Sequence, residues 1–358
     1  MLRVGIIGAG AISVMHIKAY KSNPRFTLSA IADLNGELAE QRAAEFDIPK
    51  SYADYRRILD DPTIDAVSIV TPTFTHKDIV VESLRSGKHV LCEKPPALTP
   101  DEVRQCRDAA RESGKTLMFA MVTRFKAKMR YLKEFIDSGK MGPISSAECG
   151  RVSRCFGQQG WFVRREMGGG FLIDSAIHEL DGVLYLMGYP APVSVSASQT
   201  FVNSDLYDRL KGAKPFYNSK DRGRYERNVE SAITGFITLD NGASIYVKAA
   251  SILNAVDCGT YLSLSGERAG ARISNPAGEG GERIKLLELT DGDEFCESEP
   301  QIEDNDPYYD EIDHFADCCE GRAQCICNAD QAVRLMSIIR ALYRSADLGR
   351  PVTAEEME

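Results

Sequence analysis

Gly8-Ala9-Gly10-Ala11-Ile12-Ser13, entered from the apolar run Leu2 to Ile7, has residue types suited to holding a phosphate. Glycine lacks a Cβ, so Gly8 permits a tight strand-to-helix turn and Gly10 permits close approach by a pyrophosphate. The phosphates would lie against unpaired N–H groups at the start of the following helix. The full fingerprint asks for Gly or Ala at its sixth position; Ser13 stands there and is small enough to pack. Asp33 closes a second β-type run, Phe26 to Ala32, where a carboxylate can accept from an adenosine ribose 2′-hydroxyl. Its charge would repel the extra phosphate of NADP, and Leu34 and Asn35 supply no arginine to counter it. The expected cofactor is therefore NAD, with NADP the lesser alternative.

A second group lies far along the chain. Asp174 and His178 are four apart in a stretch of helical texture, Gly168 to Met187, and that spacing puts two side chains on one face. Taken alone, the histidine could equally cap or face solvent, and the acid could simply favour an early helical turn. Ten cysteines include the tight group Cys318, Cys319, Cys325 and Cys327. These lack the paired C-x-x-C spacing of a zinc site, so reduced thiols acting as small hydrophobes are expected, and no metal.

At 358 residues the chain is long for one core, and two domains are expected. With 43% hydrophobic and 27% charged residues it has enough apolar material to bury, which excludes a disordered chain. The net charge of −9 argues against a nucleic-acid partner and against anionic lipid surfaces. No apolar run approaches the roughly 18 residues of a membrane span. The opening residues, short and broken by glycine, read as a first strand rather than a secretion leader, so a cytoplasmic location is expected.

The elements that must position these groups alternate over the first 120 residues. Strand-like runs at 2–7, 26–32, 66–70, 89–92 and 116–120 are separated by helical ones at 11–22, 36–46, 76–86 and 100–113. That alternation implies parallel pairing in a doubly wound α/β domain. Beyond residue 122 the texture changes: a helix at 126–138, then strands at 193–201, 231–239, 243–252, 259–265 and 284–289, with Asn241-Gly242 marking a hairpin. Residues 203–228, polar with Tyr207, Phe216, Tyr217 and Tyr225, read as a long excursion, and 308–349 as two helices broken near Gly321.

Two further segments narrow the reading. Glu93-Lys94-Pro95 follows the fourth long strand, and Gly168-Gly169-Gly170 leads to Asp174-x-x-x-His178. With Gly8-Ala9-Gly10, Thr71-Pro72-Thr73-Phe74-Thr75-His76, Val229-Glu230-Ser231 and Asn241-Gly242-Ala243, they make the chain resemble the glucose–fructose oxidoreductase/inositol dehydrogenase (Gfo/Idh/MocA) family over nearly its whole length. The resemblance implies an N-terminal NAD-binding Rossmann domain, a doubly wound parallel sheet, over 1–121. A C-terminal α+β domain over 122–358, with a large, mostly antiparallel open sheet, would bind substrate and serve as the interface of a homodimer or homotetramer. By the same analogy Thr71, Pro72 and His76 would line the cofactor cleft beside Gly8, Ala9, Gly10, Ala11, Ile12 and Asp33. Glu93 would approach the nicotinamide-side ribose, and Lys94, Asp174 and His178 match the catalytic positions.

Such residues suit an NAD-dependent oxidoreductase acting on a hydroxyl carbon of a sugar, polyol or sugar derivative. Oxidising an alcohol needs a base for the hydroxyl proton while the hydride leaves for the nicotinamide. His178 can take the proton, Lys94 can stabilise negative charge on the oxygen, and Asp174 can orient them or bind a hydroxyl. Whether Lys94 or His178 holds the proton first stays open. Arg124, Trp161 and Arg165 are further candidates on the substrate side. Two rivals stand beside this reading: an NAD-retaining enzyme that cleaves glycosides through transient oxidation, and a non-catalytic NAD(H) sensor.

Overall fold

The computed structural model describes residues 1–154, 160–202, 226–253, 255–278, 281–290, 292 and 294–357. Cys155, the Gly157-Gln158-Gln159 lead-in to Trp161 and nearly all of the 203–228 excursion lie outside them. The chain groups into two units. Met1–Phe125 and Asp306–Val333 form one, and Lys126–Asn305 with Arg334–Glu358 form the other.

In the first unit the expected alternation yields β1 (Leu2–Ile7), β2 (Phe26–Ala32), β3 (Ser51–Tyr52), β4 (Ala66–Ile69), β5 (His89–Glu93) and β6 (Leu117–Ala120). They pair in parallel in the order β3-β2-β1-β4-β5-β6, the doubly wound arrangement. Every residue of β4 is fully buried, as a strand covered on both faces requires. Local chemistry sets the helices. In Pro100–Ser113, Thr99 Oγ1 accepts the Glu102 N–H at 3.2 Å and Glu102 Oε2 accepts the Thr99 N–H at 3.0 Å. Pro100 suits the first turn, and Gly114 closes the helix at φ +65°.

The sequence division at 121/122 assigned everything beyond it to the second domain, whereas 306–333 packs with the first unit. Arg25 anchors the helix Pro307–Cys319, reaching Asp313 at 2.9 Å and Asp317 and Glu320 at 2.8 Å each. Phe315, fully buried, stacks on Phe26 at 6.5 Å between ring centres. Past that helix the chain runs along the outer strand of the sheet, where the Phe119 N–H donates to the Cys327 carbonyl at 3.1 Å. Periodicity marks such a helix but not which core it joins.

The second unit holds β7 (Ile144–Val152), β8 (Pro192–Thr200), β9 (Ala232–Leu239), β10 (Ser244–Ala250), β11 (Gly259–Gly266), β12 (Ala269–Pro276), β13 (Arg283–Leu289), β14 (Phe295–Ser298) and β15 (Val352–Thr353). Their order is β14-β13-β12-β11-β7-β10-β9-β8-β15; β7 and β10 pair in parallel, the other neighbours antiparallel. The Asn241-Gly242 hairpin joins β9 to β10. Four of these strands, β7, β12, β14 and β15, escaped the sequence reading. Helix Ile177–Leu186 packs on β7 and β11, and Ser345 of the helix Ala329–Leu348 accepts the Ala197 N–H at 2.9 Å. Cross-strand partners Phe236 and Tyr246 are 48% and 37% exposed, so their side of the sheet presents aromatic surface.

The single helix expected over Gly168 to Met187 is instead two, Phe171–Asp174 and Ile177–Leu186. The Ala176 N–H reaches back five residues to the Phe171 carbonyl at 3.1 Å, which interrupts the regular ladder. Asp174 and His178 therefore do not share one continuous helix, and the one-face argument from their spacing does not carry across the break.

Candidate active site

Gly8 follows β1, Asp33 follows β2, Thr71 follows β4 and Lys94 follows β5. Because these four strands are parallel neighbours, the residues that end them gather along one edge of the sheet, where open α/β sheets bind ligands.

Gly8 has φ +108°, and a Cβ there would stand 2.6 Å from the Val70 carbonyl oxygen, so no other residue fits. A Cβ on Gly10 would meet nothing within 4 Å, which leaves room above the turn. Ser13 explains itself: fully buried, it donates from Oγ to the Gly10 carbonyl at 2.6 Å. The helix Ser13–Ser22 opens with no side-chain cap and no acid in its first turn, so its leading N–H groups and dipole favour an anion. This turn, made by Gly8, Ala9, Gly10, Ala11 and Ile12, fits a pyrophosphate.

Asp33 engages both carboxylate oxygens with backbone: Oδ2 accepts the Ala9 N–H and Oδ1 the Asn35 N–H, each at 2.8 Å. It thus ties the glycine turn to the end of β2. On the other side of the same residue, Arg42 Nε and Nη2 donate to the Ala9 carbonyl at 3.4 Å. The sequence reading looked for an arginine beside Asp33 only at positions 34 and 35; the fold brings one from the next helix.

The Thr71 and Lys94 loops are held together by His76. This buried ring points Nδ1 at the Pro95 carbonyl and Nε2 at the Thr71 carbonyl, both at 2.8 Å. Burial, the larger influence, pulls its pKa below the ordinary histidine value against these two carbonyls, which favour a proton. Thr71 and Thr75 hydroxyls bond at 2.7 Å, and Thr75 donates to the Pro72 carbonyl at 2.7 Å. His76 thus supports the cleft loops from beneath.

Glu93 is buried too. Its Oε1 lies 2.9 Å from Nε2 of His16, and its Oε2 accepts the Lys94 N–H at 3.0 Å. His16 Nδ1 is 2.9 Å from Ser68 Oγ. Burial by itself would raise the Glu93 carboxyl, but His16 and Lys94 outweigh it and hold it below the usual range. The structure thus places Glu93 under half-buried Lys94, oriented inward, where the family analogy had put it toward a ribose. Sequence reasoning missed His16, a lone histidine inside an ordinary-looking helix. It also missed Glu311, fully buried with both carboxyl oxygens lacking a hydrogen-bond partner among the described residues. Burial and nearby Glu93 push its pKa well up. Arg124, a candidate for the substrate side in the sequence reading, is 1% exposed and donates to the Ile326 carbonyl and to Gln331 Oε1, the latter at 2.7 Å. It braces the returning segment.

In the second unit, Asp174 is buried at the end of its short helix and accepts the Ser175 hydroxyl at 2.9 Å. His178 is half-buried near the start of the next. Gly170 makes the approach possible. With φ +116°, it lies where a Cβ would stand 2.5 Å from Glu230 Oε2 and from the Tyr343 hydroxyl. Buried Glu230 accepts the Leu172 N–H at 3.0 Å and the Tyr343 hydroxyl at 2.7 Å, and burial raises its pKa despite these donors. Arg151 grips Glu179 through two bonds, 2.7 and 3.1 Å, fixing the His178 helix to β7. Trp161 stacks on Phe162 at 3.7 Å between centres. Arg165 lies over Tyr343 and donates to Gln199 at 3.1 Å, so its guanidinium binds neighbouring elements together.

Two family models match. An oxidoreductase family's NAD-binding Rossmann fold covers residues 2–121, and its C-terminal alpha/beta domain covers 133–354. D-glucoside 3-dehydrogenase of Escherichia coli is 29% identical over 358 residues, covering 98% of this chain and 97% of that protein. Levoglucosan dehydrogenase of Pseudarthrobacter phenanthrenivorans is 34% identical over 261 residues, 69% of this chain and 67% of its own length. A solved structure of levoglucosan dehydrogenase in complex with NADH superposes with a TM-score of 0.82 at 23% identity, covering 98% of each chain, a likeness of fold.

Proposed function

Since the chain belongs to the Gfo/Idh/MocA family of oxidoreductases, whose N-terminal domain is an NAD-binding Rossmann fold, we propose that it oxidises a hydroxyl-bearing carbon of a sugar, polyol or sugar derivative. The observation that carries the cofactor assignment is the Gly8 turn, closed to any side chain and tied to Asp33 through the Ala9 N–H. The sugar class rests on the relatives, a glucoside dehydrogenase and a levoglucosan dehydrogenase.

When bound, NAD accepts the hydride of the carbinol carbon. The chain's own residues handle the proton and the charge. His178 takes the hydroxyl proton, Lys94 stabilises the oxygen as negative charge develops, and Asp174 binds a substrate hydroxyl or orients the base. Asp33 holds the adenosine ribose, and Gly8 to Ile12 hold the pyrophosphate. Thr71 and Pro72 line the nicotinamide side, and buried His76 and Glu93 hold its loops from within. Residues 1–121, completed by the returning segment 306–333, carry the cofactor, and the rest of 122–358 carries substrate recognition and, through the exposed sheet face, a homodimer or homotetramer contact. No helix among the described residues is long and apolar enough to cross a membrane, and we place the enzyme in the cytoplasm.

The test is a panel of polyols, aldoses, glycosides and nucleotide sugars incubated with NAD, read as NADH absorbance. Net NADH on at least one class is expected, with His178→Ala and Lys94→Met each lowering kcat by about 10²–10⁴-fold. NAD binding without net NADH from any substrate would overturn the dehydrogenase reading and favour transient oxidation or sensing.

A further inference from the structure

The helix Pro307–Cys319 ends in Cys318-Cys319, and the chain turns through Gly321 and returns at Cys325 and Cys327. Half-buried Cys318 has its Sγ 3.4 Å from Nε2 of His314, one turn earlier. The same nitrogen accepts the Ile326 N–H at 3.2 Å, so the imidazole joins the helix end to the returning segment beside Cys318. Ile326 directly follows Cys325, so its bond to His314 brings a second sulfur to the same turn, and the Cys325 Sγ lies 4.0 Å from the Leu117 carbonyl. An imidazole and two half-buried cysteines are thus assembled at one turn, away from the glycine turn and the Glu93-Lys94 loop. A metal is not the match: among the described residues no group of three or more His, Cys, Asp or Glu is arranged to hold one.

We propose that Cys318 and Cys325 form a redox-modification site, in which Cys318 reacts with a hydroperoxide and Cys325 closes the product to an intrachain disulfide. In the first step the Cys318 sulfur attacks the terminal peroxide oxygen and the O–O bond breaks. The thiol proton passes to the departing oxygen, which leaves as water or an alcohol. Cys318 is then a sulfenic acid. In the second step the Cys325 sulfur attacks the Cys318 sulfur, the S–O bond breaks, and the hydroxyl leaves as water with the Cys325 proton. Two thiols are oxidised and one hydroperoxide is reduced.

The ionisation of the pair agrees with these roles. The bond from Cys325, then the His314 imidazole, bring the Cys318 pKa down to about 5 against the opposing effect of burial, so the reactive thiolate prevails at neutral pH. The Cys325 thiol is pushed well up by Cys318 and by burial, and keeps the proton that the second step releases. Cys92, Cys106 and Cys149, by contrast, are fully buried, so a hydroperoxide does not reach them. The site has structural consequences, since Ile326 and Cys327 lend their carbonyls to Arg124 and to the Phe119 N–H of β6.

Arg322 lies between the two cysteines, so trypsin converts the disulfide into a linked peptide pair. The full-length protein is treated with hydrogen peroxide, alkylated and mapped by mass spectrometry. A linked pair reversed by dithiothreitol is expected, lost in Cys318→Ser. In Cys325→Ser the expected product is a dimedone adduct on Cys318, the signature of a stranded sulfenic acid. Wild-type protein with Cys318 and Cys325 still reduced after the exposed Cys296 has been oxidised would overturn the proposal. So would a link that persists in Cys318→Ser, which would assign it to Cys319 and Cys327.

Discussion

Ala9 is held on both sides, its N–H by Asp33 and its carbonyl by Arg42, and the two opposite charges bear on the choice of cofactor. The Asp33 charge opposes a 2′-phosphate, while Arg42 stands within the same turn and would attract one. Asp33→Ala should raise KM for NAD by about tenfold with little change in kcat, the cost of roughly one charged hydrogen bond. The same variant should raise kcat/KM for NADP relative to NAD, and Asp33→Ala/Arg42→Ala should reverse that gain; an unchanged ratio in the double variant would remove Arg42 from the account. Glu311 gives a second prediction at this scale. Its folded pKa lies above the ordinary value of 4.5, so below that value both folded and unfolded forms are protonated and pH has no leverage. As pH rises past it the unfolded chain loses a proton that the folded one keeps, and stability falls toward the folded pKa. Glu311→Gln should therefore show a Tm advantage over wild type that is small near pH 4.5 and grows toward neutrality. A constant difference across that range would mean Glu311 is not held protonated. Asp33 was legible because strand, turn and acid stand in a fixed order along the chain. His16, Arg42 and Glu311 were not, because each acquires its role from a strand or helix distant in sequence.

Gly170 and Glu230 make the element that delivers Asp174 and His178. The tight turn puts Glu230 and Tyr343 where a side chain on Gly170 would go, and the helix beyond is broken after Asp174. Gly170→Ala should destabilise the protein by about 1–3 kcal/mol from its left-handed backbone alone, more if Glu230 is displaced, and should lower Tm in a thermal melt. An Ala variant as stable as wild type would show that the turn tolerates a Cβ. The sequence announced this element through three consecutive glycines but hid the break at Ser175-Ala176, since residue types there suit either path. For the same reason β7 went unread: Ile144-Ser145-Ser146-Ala147-Glu148-Cys149-Gly150 alternates too weakly to show, yet β7 sits between β10 and β11 in mid-sheet.

At the scale of the molecule, the alternation of strand and helix was enough to predict five of the six strands of the parallel sheet, all but the two-residue β3, and the Asn241-Gly242 hairpin pointed to an antiparallel second sheet. What no local pattern carries is that 306–333 rejoins the first unit. The exposed pair Phe236 and Tyr246 belongs to this scale as well. Phe236→Asp should shift the protein to a smaller species in light scattering if that sheet face joins subunits, and leave the mass unchanged if it does not. The stitched first unit makes a prediction by truncation: a fragment ending at Phe125 should aggregate, while one that appends Asp306–Val333 through a flexible linker should give a cooperative melt. A soluble, cooperatively melting short fragment would show that the returning segment is dispensable.

That return also sets a timetable. As the ribosome releases the chain, the glycine turn and its five neighbouring strands emerge early, but Arg25 waits for Asp313 and the flank of β6 waits for Cys327. The nucleotide-binding unit, though its strands are translated early, reaches its finished form only when residues 306–333 have also been made.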